Sequence, residues 1–126
     1  MPVINIKSLP FSGVKNIPGI IKNISRQFSD AMNIDEKNIT VSWEFFEKRH
    51  VCFNGKTKEF QGKNEPPVNV YFETPDFNNL QTIEKMLNCI ARGINEHAGI
   101  SLNTIFITHH YARPSRVFDE GKIVSW

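Results

Sequence analysis

The residue with the clearest chemical potential in this sequence is a proline directly behind the first methionine. The chain begins MPVINIK, so removal of Met1, which is normal before a small second residue, leaves Pro2 with a free secondary amine. An α-amino group has a pKa of about 8. Partial burial and nearby cations lower that pKa toward neutrality, where one amine both accepts and returns a proton. Pro2 is therefore the candidate general base of the chain.

The histidines and cysteines are not spaced for metal binding or thiol chemistry. His109 and His110 are adjacent, and neighbours on a strand point to opposite faces, so they do not readily share one ion. Cys52 and Cys89 lack the CxxC spacing of a zinc site and the density of a disulfide framework. Glycine-rich phosphate loops are also absent. We predict reduced thiols, no metal and no cofactor.

A basic and aromatic cluster lies between residues 48 and 63. Such a cluster binds single-stranded nucleic acid by charge and stacking, or it is simply a solvated hairpin. Interspersed glutamates and a formal net charge of only +2 favour the hairpin, and we expect no nucleic-acid partner. The members are Lys48, Arg49, His50, Phe53, Lys56, Lys58, Phe60 and Lys63.

The size and composition of the chain restrict its class. Its 126 residues fit one compact domain, so we expect a single domain over residues 1–126. No apolar run approaches the roughly 20 residues that span a bilayer, and the first residues lack the apolar region of a secretory signal. We therefore expect a cytoplasmic protein without a membrane partner.

Hydrophobic patterns predict a β-α-β unit in the first half of the chain. VINIK, at residues 3–7, alternates as a short strand. Asn16 is the predicted N-cap of a helix with Pro18 in its first turn and an apolar stripe at helical spacing. NITVSWEFF then alternates as a second strand, and an excursion from residue 47 to residue 65 contains an Asn-Gly turn between VCF and KEF.

The second half repeats the same order of elements. PPVNVYFET predicts a strand, Thr74 or Asp76 the N-cap of a helix, Gly99 the end of that helix, and NTIFITHH another strand. The tail forms two short extended pieces around DEGK. Right-handed crossovers make the strands around each helix parallel. The predicted fold is an α+β two-layer sandwich, a duplicated β-α-β with a four-stranded mixed sheet and two helices on one face.

The opposite face of this sheet is predicted to be apolar as well. Phe46 and Phe106 alternate with apolar neighbours such as Trp43 and Ile105, and two helices cover only one side. A second apolar face implies self-association. A ferredoxin-like binding module, with antiparallel neighbouring strands, is the alternative that this pattern leaves open.

The Met-Pro start, the β-α-β repeat and the loop VKNIPG together resemble the tautomerase superfamily, which includes 4-oxalocrotonate tautomerase and macrophage migration inhibitory factor. The segments IFITHH and EGKIVSW look closest to a small microbial tautomerase-like branch. The resemblance covers essentially the whole chain. It implies a homotrimer with sites between subunits, and an N-terminal proline, here Pro2, that moves a proton between carbon and oxygen.

The resemblance also assigns substrate-binding positions, at which this chain departs from the family pattern. A tyrosine and an asparagine of the family align with Phe106 and Thr108, a lysine aligns with Ile34, and an arginine in the first loop aligns with residues 11–13, FSG. Replacement groups for a substrate carboxylate are Arg49 with His50, after the second strand, and Arg113 with Arg116, before the tail. A backbone amide near Phe72 is a further candidate donor.

The resemblance thus implies cofactor-free keto-enol tautomerisation of a small 2-oxo acid or related carbonyl compound. Pro2 would be the base, Phe106 an apolar wall and Thr108 a hydrogen-bond donor. A non-catalytic protein of the same fold, binding a metabolite or a protein partner, is the alternative.

Overall fold

The computed structural model describes all residues from Met1 to Trp126. Neither helix combines the length and apolar character of a membrane span. Two short 3-10 turns, Glu36–Asn38 and Leu102–Thr104, precede strands. The main elements, in chain order, are β1 (Val3–Ser8), α1 (Ile17–Met32), β2 (Thr40–Phe45), β3 (Cys52–Phe53), β4 (Lys56–Thr57), β5 (Val68–Pro75), α2 (Leu80–Ala98), β6 (Ile105–Ala112), β7 (Val117–Asp119) and β8 (Lys122–Val124).

The four long strands form one mixed sheet in the order β2-β1-β5-β6. β1 runs parallel to β2, and β5 runs parallel to β6, as the crossover rule predicts. The two halves join through the antiparallel pair of β1 and β5. The predicted α+β fold with a duplicated β-α-β unit is therefore confirmed, and the parallel neighbours exclude the ferredoxin-like arrangement.

Helix α1 begins and ends as its sequence predicts. The Asn16 side chain accepts a hydrogen bond of 3.0 Å from the Gly19 amide, and Pro18 occupies the first turn, where it removes no intrahelical bond. Asn33 ends the helix in the left-handed conformation at φ 53°. Ile24 and Phe28 bury the apolar stripe against the sheet.

The predicted N-cap of α2 was wrong. Asn79, rather than Thr74 or Asp76, accepts from the Thr82 amide at 2.8 Å, because β5 continues through Pro75 and delays the helix. The Asp76 carboxylate instead accepts from the indole of Trp126. The predicted end of the helix is confirmed, since Gly99 has a left-handed φ of 72°.

The excursion after β2 contains the predicted hairpin, with one difference. Asn54 and Gly55 both have positive φ, as a two-residue hairpin turn requires. Such a turn lets the return strand start at once, so β4 is Lys56–Thr57 and not the later KEF. The tail forms a second hairpin from β7 and β8 around residues 120 and 121, as predicted.

The two faces of the sheet differ more than the sequence pattern predicted. Alternate residues of the two central strands, such as Ile6 and Val70, are buried beneath the helices. The uncovered face is mainly polar, with Phe106 and Tyr71 as its large exposed rings. The expectation of a second apolar face was wrong because β2 ends before Phe46, so that this strand presents only Thr40, Ser42 and Glu44 on the uncovered face.

Two residues in the first turns of α2 test this assignment of the core. Ile83 is 2% exposed and Leu80 is 69% exposed. Ile83→Ala should lower the free energy of unfolding by about 2–5 kcal/mol, because it removes a buried side chain and leaves a cavity. Leu80→Ala, the matched control, should change it by less than about 0.5 kcal/mol. Denaturant unfolding of both variants measures the difference, and equal losses would contradict the described packing.

Candidate functional site

Pro2 is buried and immediately precedes β1, which is one of the two central strands of the sheet. Its carbonyl oxygen accepts a hydrogen bond of 3.0 Å from the Thr40 amide at the start of β2. Val3 pairs with Glu73 of β5, so the antiparallel register extended by one residue puts Pro2 opposite Thr74. The nitrogen of residue 2 therefore lies at the end of the sheet where β1 and β2 begin and β5 ends.

The local surroundings of the N-terminus disfavour a positive charge. Burial lowers the pKa of the Met1 amine, and the carboxylate of Asp119 in β7 opposes this effect only in part. Desolvation is thus the largest influence on the pKa of the Met1 amine.

A cluster of polar and aromatic side chains lies at the same end of the sheet. Nε2 of His109 is 2.8 Å from the Thr74 hydroxyl, whose oxygen is also 3.2 Å from the Pro75 carbonyl oxygen. The His109 ring packs edge-on against Tyr111, with centroids 4.7 Å apart, and the Tyr111 hydroxyl donates to the Asn78 carbonyl. These groups face the helix side of the sheet.

The charge state of His109 follows from this packing. Burial lowers the pKa of the imidazole below 6.5, the neighbouring His110 lowers it further, and Glu73 opposes both. Phe72 and Tyr111 supply the apolar contacts around the ring. His109 is consequently neutral at physiological pH.

A second polar group occupies the uncovered face. Tyr71 stacks on His110 with ring centroids 4.5 Å apart, and its hydroxyl donates to Glu73 at 3.2 Å. The Thr108 hydroxyl lies 3.3 Å from His110 Nε2. Partial desolvation of the hydroxyl raises the pKa of Tyr71, although most of its ring is exposed, and the negative charge of Glu73 raises it further.

The structure separates the sequence-predicted residues into different places. Phe106 and Thr108 lie on the uncovered face, whereas Pro2 lies on the helix side with Ile4. Phe72 lies in β5 between β1 and β6, and its fully buried ring is 6.0 Å from that of Phe28, so its backbone amide alone stays a proposed donor.

Two of the three arginine candidates, Arg49 and Arg113, lie at opposite ends of the sheet. Arg49 follows the far end of β2, where it pairs with Glu59 at 3.6 Å. Arg113 directly follows β6, which ends beside the end of β5 and therefore at the Pro2 end. Within one subunit, Arg113 is the better placed cation.

Sequence reasoning missed the pair of Thr74 and His109. The sequence predicts no partner for His109, and it predicts Thr74 only as a helix cap. The alternation of Ile105, Ile107 and His109 did place the imidazole on one face. The strand register, which brings it to Thr74, could not be read from local sequence. No three His, Cys, Asp or Glu side chains converge as a metal site.

Comparisons with known proteins give the fold a name. No protein-family model and no curated protein matches the sequence of this chain. Among solved structures, a fused 4-OT described as an asymmetric trimer has a TM-score of 0.80 at 7% identity, covering 96% of this chain and 94% of its own. Pt0534 inactivated by 2-oxo-3-pentynoate has a TM-score of 0.78 at 10% identity, covering 97% and 94%.

Macrophage migration inhibitory factor from Toxoplasma gondii is also similar, with a TM-score of 0.69 at 15% identity, covering 95% of this chain and 97% of its own. These structural neighbours are tautomerase-superfamily proteins of the 4-OT and migration-factor types. The chain therefore has the tautomerase fold, as its resemblance predicted.

The environment of His109 can be tested by titration. Its pKa should lie below 6.5, because desolvation is the largest influence on the ring. The unfolded chain then binds more protons between the folded pKa and 6.5, so the stability contributed by neutral His109 should decrease as the pH falls through that range. NMR titration of the ring, identified by its absence in His109→Gln, measures the midpoint. A midpoint at or above 6.5 would contradict the described burial.

Proposed function

We propose that the protein catalyses cofactor-free keto-enol tautomerisation of a small 2-oxo acid or related carbonyl compound. Pro2 is the general base once Met1 has been removed. The main support is the position of Pro2, buried at the start of a central strand of the tautomerase fold. A structural neighbour is inactivated by 2-oxo-3-pentynoate, which is itself a 2-oxo acid, and this supports the substrate class.

The proposed reaction uses one amine for both proton transfers. The unprotonated nitrogen of Pro2 removes a proton from the carbon beside the carbonyl group, and the C–H electron pair forms the enolate double bond. The resulting ammonium then returns the proton to oxygen or, in the reverse direction, to carbon. We expect burial to lower the pKa of the mature Pro2 amine, as it lowers the pKa of the Met1 amine, which suits a group that must act as base and acid in turn.

The enolate and the substrate carboxylate require positive charge or hydrogen-bond donors. Arg113 is the proposed carboxylate partner, since it follows β6 at the Pro2 end of the sheet. Phe106 and Thr108 remain proposed as a wall and a donor supplied to a site between subunits. The fused 4-OT neighbours described as trimers support a homotrimer for this chain. We propose in addition that residues 1–126 form a single domain and that the protein is cytoplasmic.

The role of the Pro2 nitrogen can be tested by substitution. Both proline and alanine permit removal of Met1, so Pro2→Ala changes the amine without blocking it. We expect kcat for ketonisation of an enol 2-oxo acid to fall by about 100-fold, the lower range for loss of a positioned base. Pro10→Ala, in the loop after β1, is the matched control and should retain activity. Unchanged kcat in Pro2→Ala would contradict the mechanism.

A covalent probe locates the nucleophilic amine directly. In 2-oxo-3-pentynoate a triple bond is conjugated with a carbonyl, so the Pro2 nitrogen can add to the alkyne carbon while its proton moves to the adjacent carbon. Intact mass should increase by one whole reagent, and peptide mapping should place the adduct on residue 2. A chain that retains Met1 should remain unlabelled at this position because its Pro2 nitrogen is an amide.

The two arginines give a matched test of carboxylate binding. Arg113→Ala should raise KM about 10-fold or more, because a charge-assisted hydrogen bond contributes roughly 1.5–3 kcal/mol. Arg49→Ala removes the same side chain at the far end of the sheet and should leave KM within about twofold. Steady-state kinetics with a 2-oxo acid measure both. The reverse pattern would assign the carboxylate to Arg49, supplied from another subunit.

A non-catalytic binding protein of the same fold is the second candidate. The lack of an arginine at residues 11–13 and of a lysine at Ile34 favours it, since these are the family's cation positions. The intact mass of protein from its own cells separates the two candidates. Loss of the methionine mass leaves a free amine for catalysis, whereas retention blocks Pro2 and favours binding.

A further inference from the structure

The tail hairpin of β7 and β8 carries a pair of large apolar side chains that the chain itself does not cover. Phe118 and Ile123 are directly opposed in the two strands, so their side chains lie on the same face of the hairpin. Phe118 is 71% exposed and Ile123 is 59% exposed. Adjacent large apolar groups, unlike scattered single ones, are typical of a surface that another molecule covers.

A second open apolar surface is a groove of about 270 Å³ at the start of α1. Phe11, Ile17 and Phe45 line it, and the Phe11 ring meets the Phe45 ring edge-on with centroids 6.1 Å apart. Val14 also lines the groove, and its side chain is fully exposed. The groove therefore offers an aromatic floor that no other part of the chain fills.

The hairpin and the groove lie at opposite ends of the sheet. The hairpin follows β6, which ends beside the end of β5, and Trp126 fastens it there by donating to Asp76. The groove lies instead where β1 and β2 end. The six residues of β1 alone separate these ends by about 20 Å, at roughly 3.3 Å per residue. A chain therefore cannot place its hairpin in its own groove, whereas a second copy can.

The charges on the two surfaces are complementary. The tip of the hairpin is net negative, with Asp119 and Glu120 against Lys122, and neither acid forms an ion pair. Lys15 lines the groove, and no acidic side chain does. The Lys15 ammonium donates to the Ala98 carbonyl at 2.9 Å, which leaves two of its three N–H groups for a partner.

We propose, building on the homotrimer of the proposed function, that the tail hairpin of one copy binds in the groove of the next copy. Phe118 and Ile123 cover the aromatic floor, and the Lys15 ammonium pairs with Asp119 or Glu120. Each copy gives a hairpin at one end and receives one at the other, so the contact is head-to-tail and can close a ring. The apolar surface for association then lies at the two ends of the subunit, and the polar uncovered face does not have to supply it.

Substitutions on either surface test the contact. Phe118→Asp on the hairpin and Val14→Asp in the groove should each weaken self-association about 10- to 100-fold, the range for loss of one buried apolar side chain. Leu80→Asp changes a side chain that is 69% exposed on α2 and is the matched control, which should stay a trimer. Size-exclusion chromatography with light scattering, over a dilution series, measures the mass of each variant.

Mixing the two variants tests the head-to-tail pairing itself. Phe118→Asp keeps an intact groove, and Val14→Asp keeps an intact hairpin, so an equimolar mixture restores one complete contact. Two variants that are monomers alone should therefore form a heterodimer together, which also shows that both are folded. Two monomeric variants that do not combine would overturn the proposal, because the hairpin and the groove would then not be partners.

The outcomes distinguish this inference from the function on which it rests. If the wild-type protein is a monomer, the proposed homotrimer fails and the docking of the hairpin fails with it. If the wild type is a trimer and both Phe118→Asp and Val14→Asp remain trimers, only the docking is overturned, and the groove is left for another occupant such as a small amphipathic anion. A wild-type trimer that dissociates as predicted but has no tautomerase activity would support the docking and contradict the proposed catalysis.

Discussion

The antiparallel pairing of β1 with β5 determines where every other part of the molecule lies. Each β-α-β unit is parallel within itself, so this single ladder joins the two halves in opposite directions. The start of β1 therefore meets the ends of β5 and β6, and the N-terminus comes to Thr74, His109 and Arg113. A parallel junction would have placed the same residues at opposite ends of the sheet.

This arrangement makes two physical requirements compatible at one end of the sheet. A general base must be desolvated to have a lowered pKa, yet the polar groups beside it must remain hydrogen-bonded. Burial of Pro2 would meet the first requirement for the proposed base. The second is met because the Thr74 hydroxyl, His109 and the Tyr111 hydroxyl all have partners, and no buried side-chain nitrogen or oxygen is left unpaired. Rigid polar neighbours can thus surround an amine without a high cost to stability.

The sequence predicted those features that depend on local spacing. Alternation located the strands, helical spacing and Asn16 located α1, and Gly99 located the end of α2, because each depends on residues close in the chain. The cap of α2 was mispredicted because the hydroxyl of Thr74 and the carboxylate of Asp76 are engaged by His109 and Trp126, which are 35 and 50 residues away.

The candidate site was predictable only in part for the same reason. Pro2 could be proposed from its position in the chain, and Arg113 as one of several cations, and both stay predictions. The choice between Arg113 and Arg49, and the partnership of Thr74 with His109, require the strand register. The polar character of the uncovered face was missed because alternation does not show where a strand ends, and β2 stops at Phe45, before Phe46.

The most direct test of the central claim is the pKa of the Pro2 nitrogen in protein that has lost Met1. Site-specific ¹⁵N labelling of Pro2 and an NMR pH titration give this value. If the fold desolvates this amine for use as a base, the pKa should lie clearly below the roughly 8 of an exposed α-amino group. A value at or above 8 would leave the amine protonated at neutral pH and would contradict the claim.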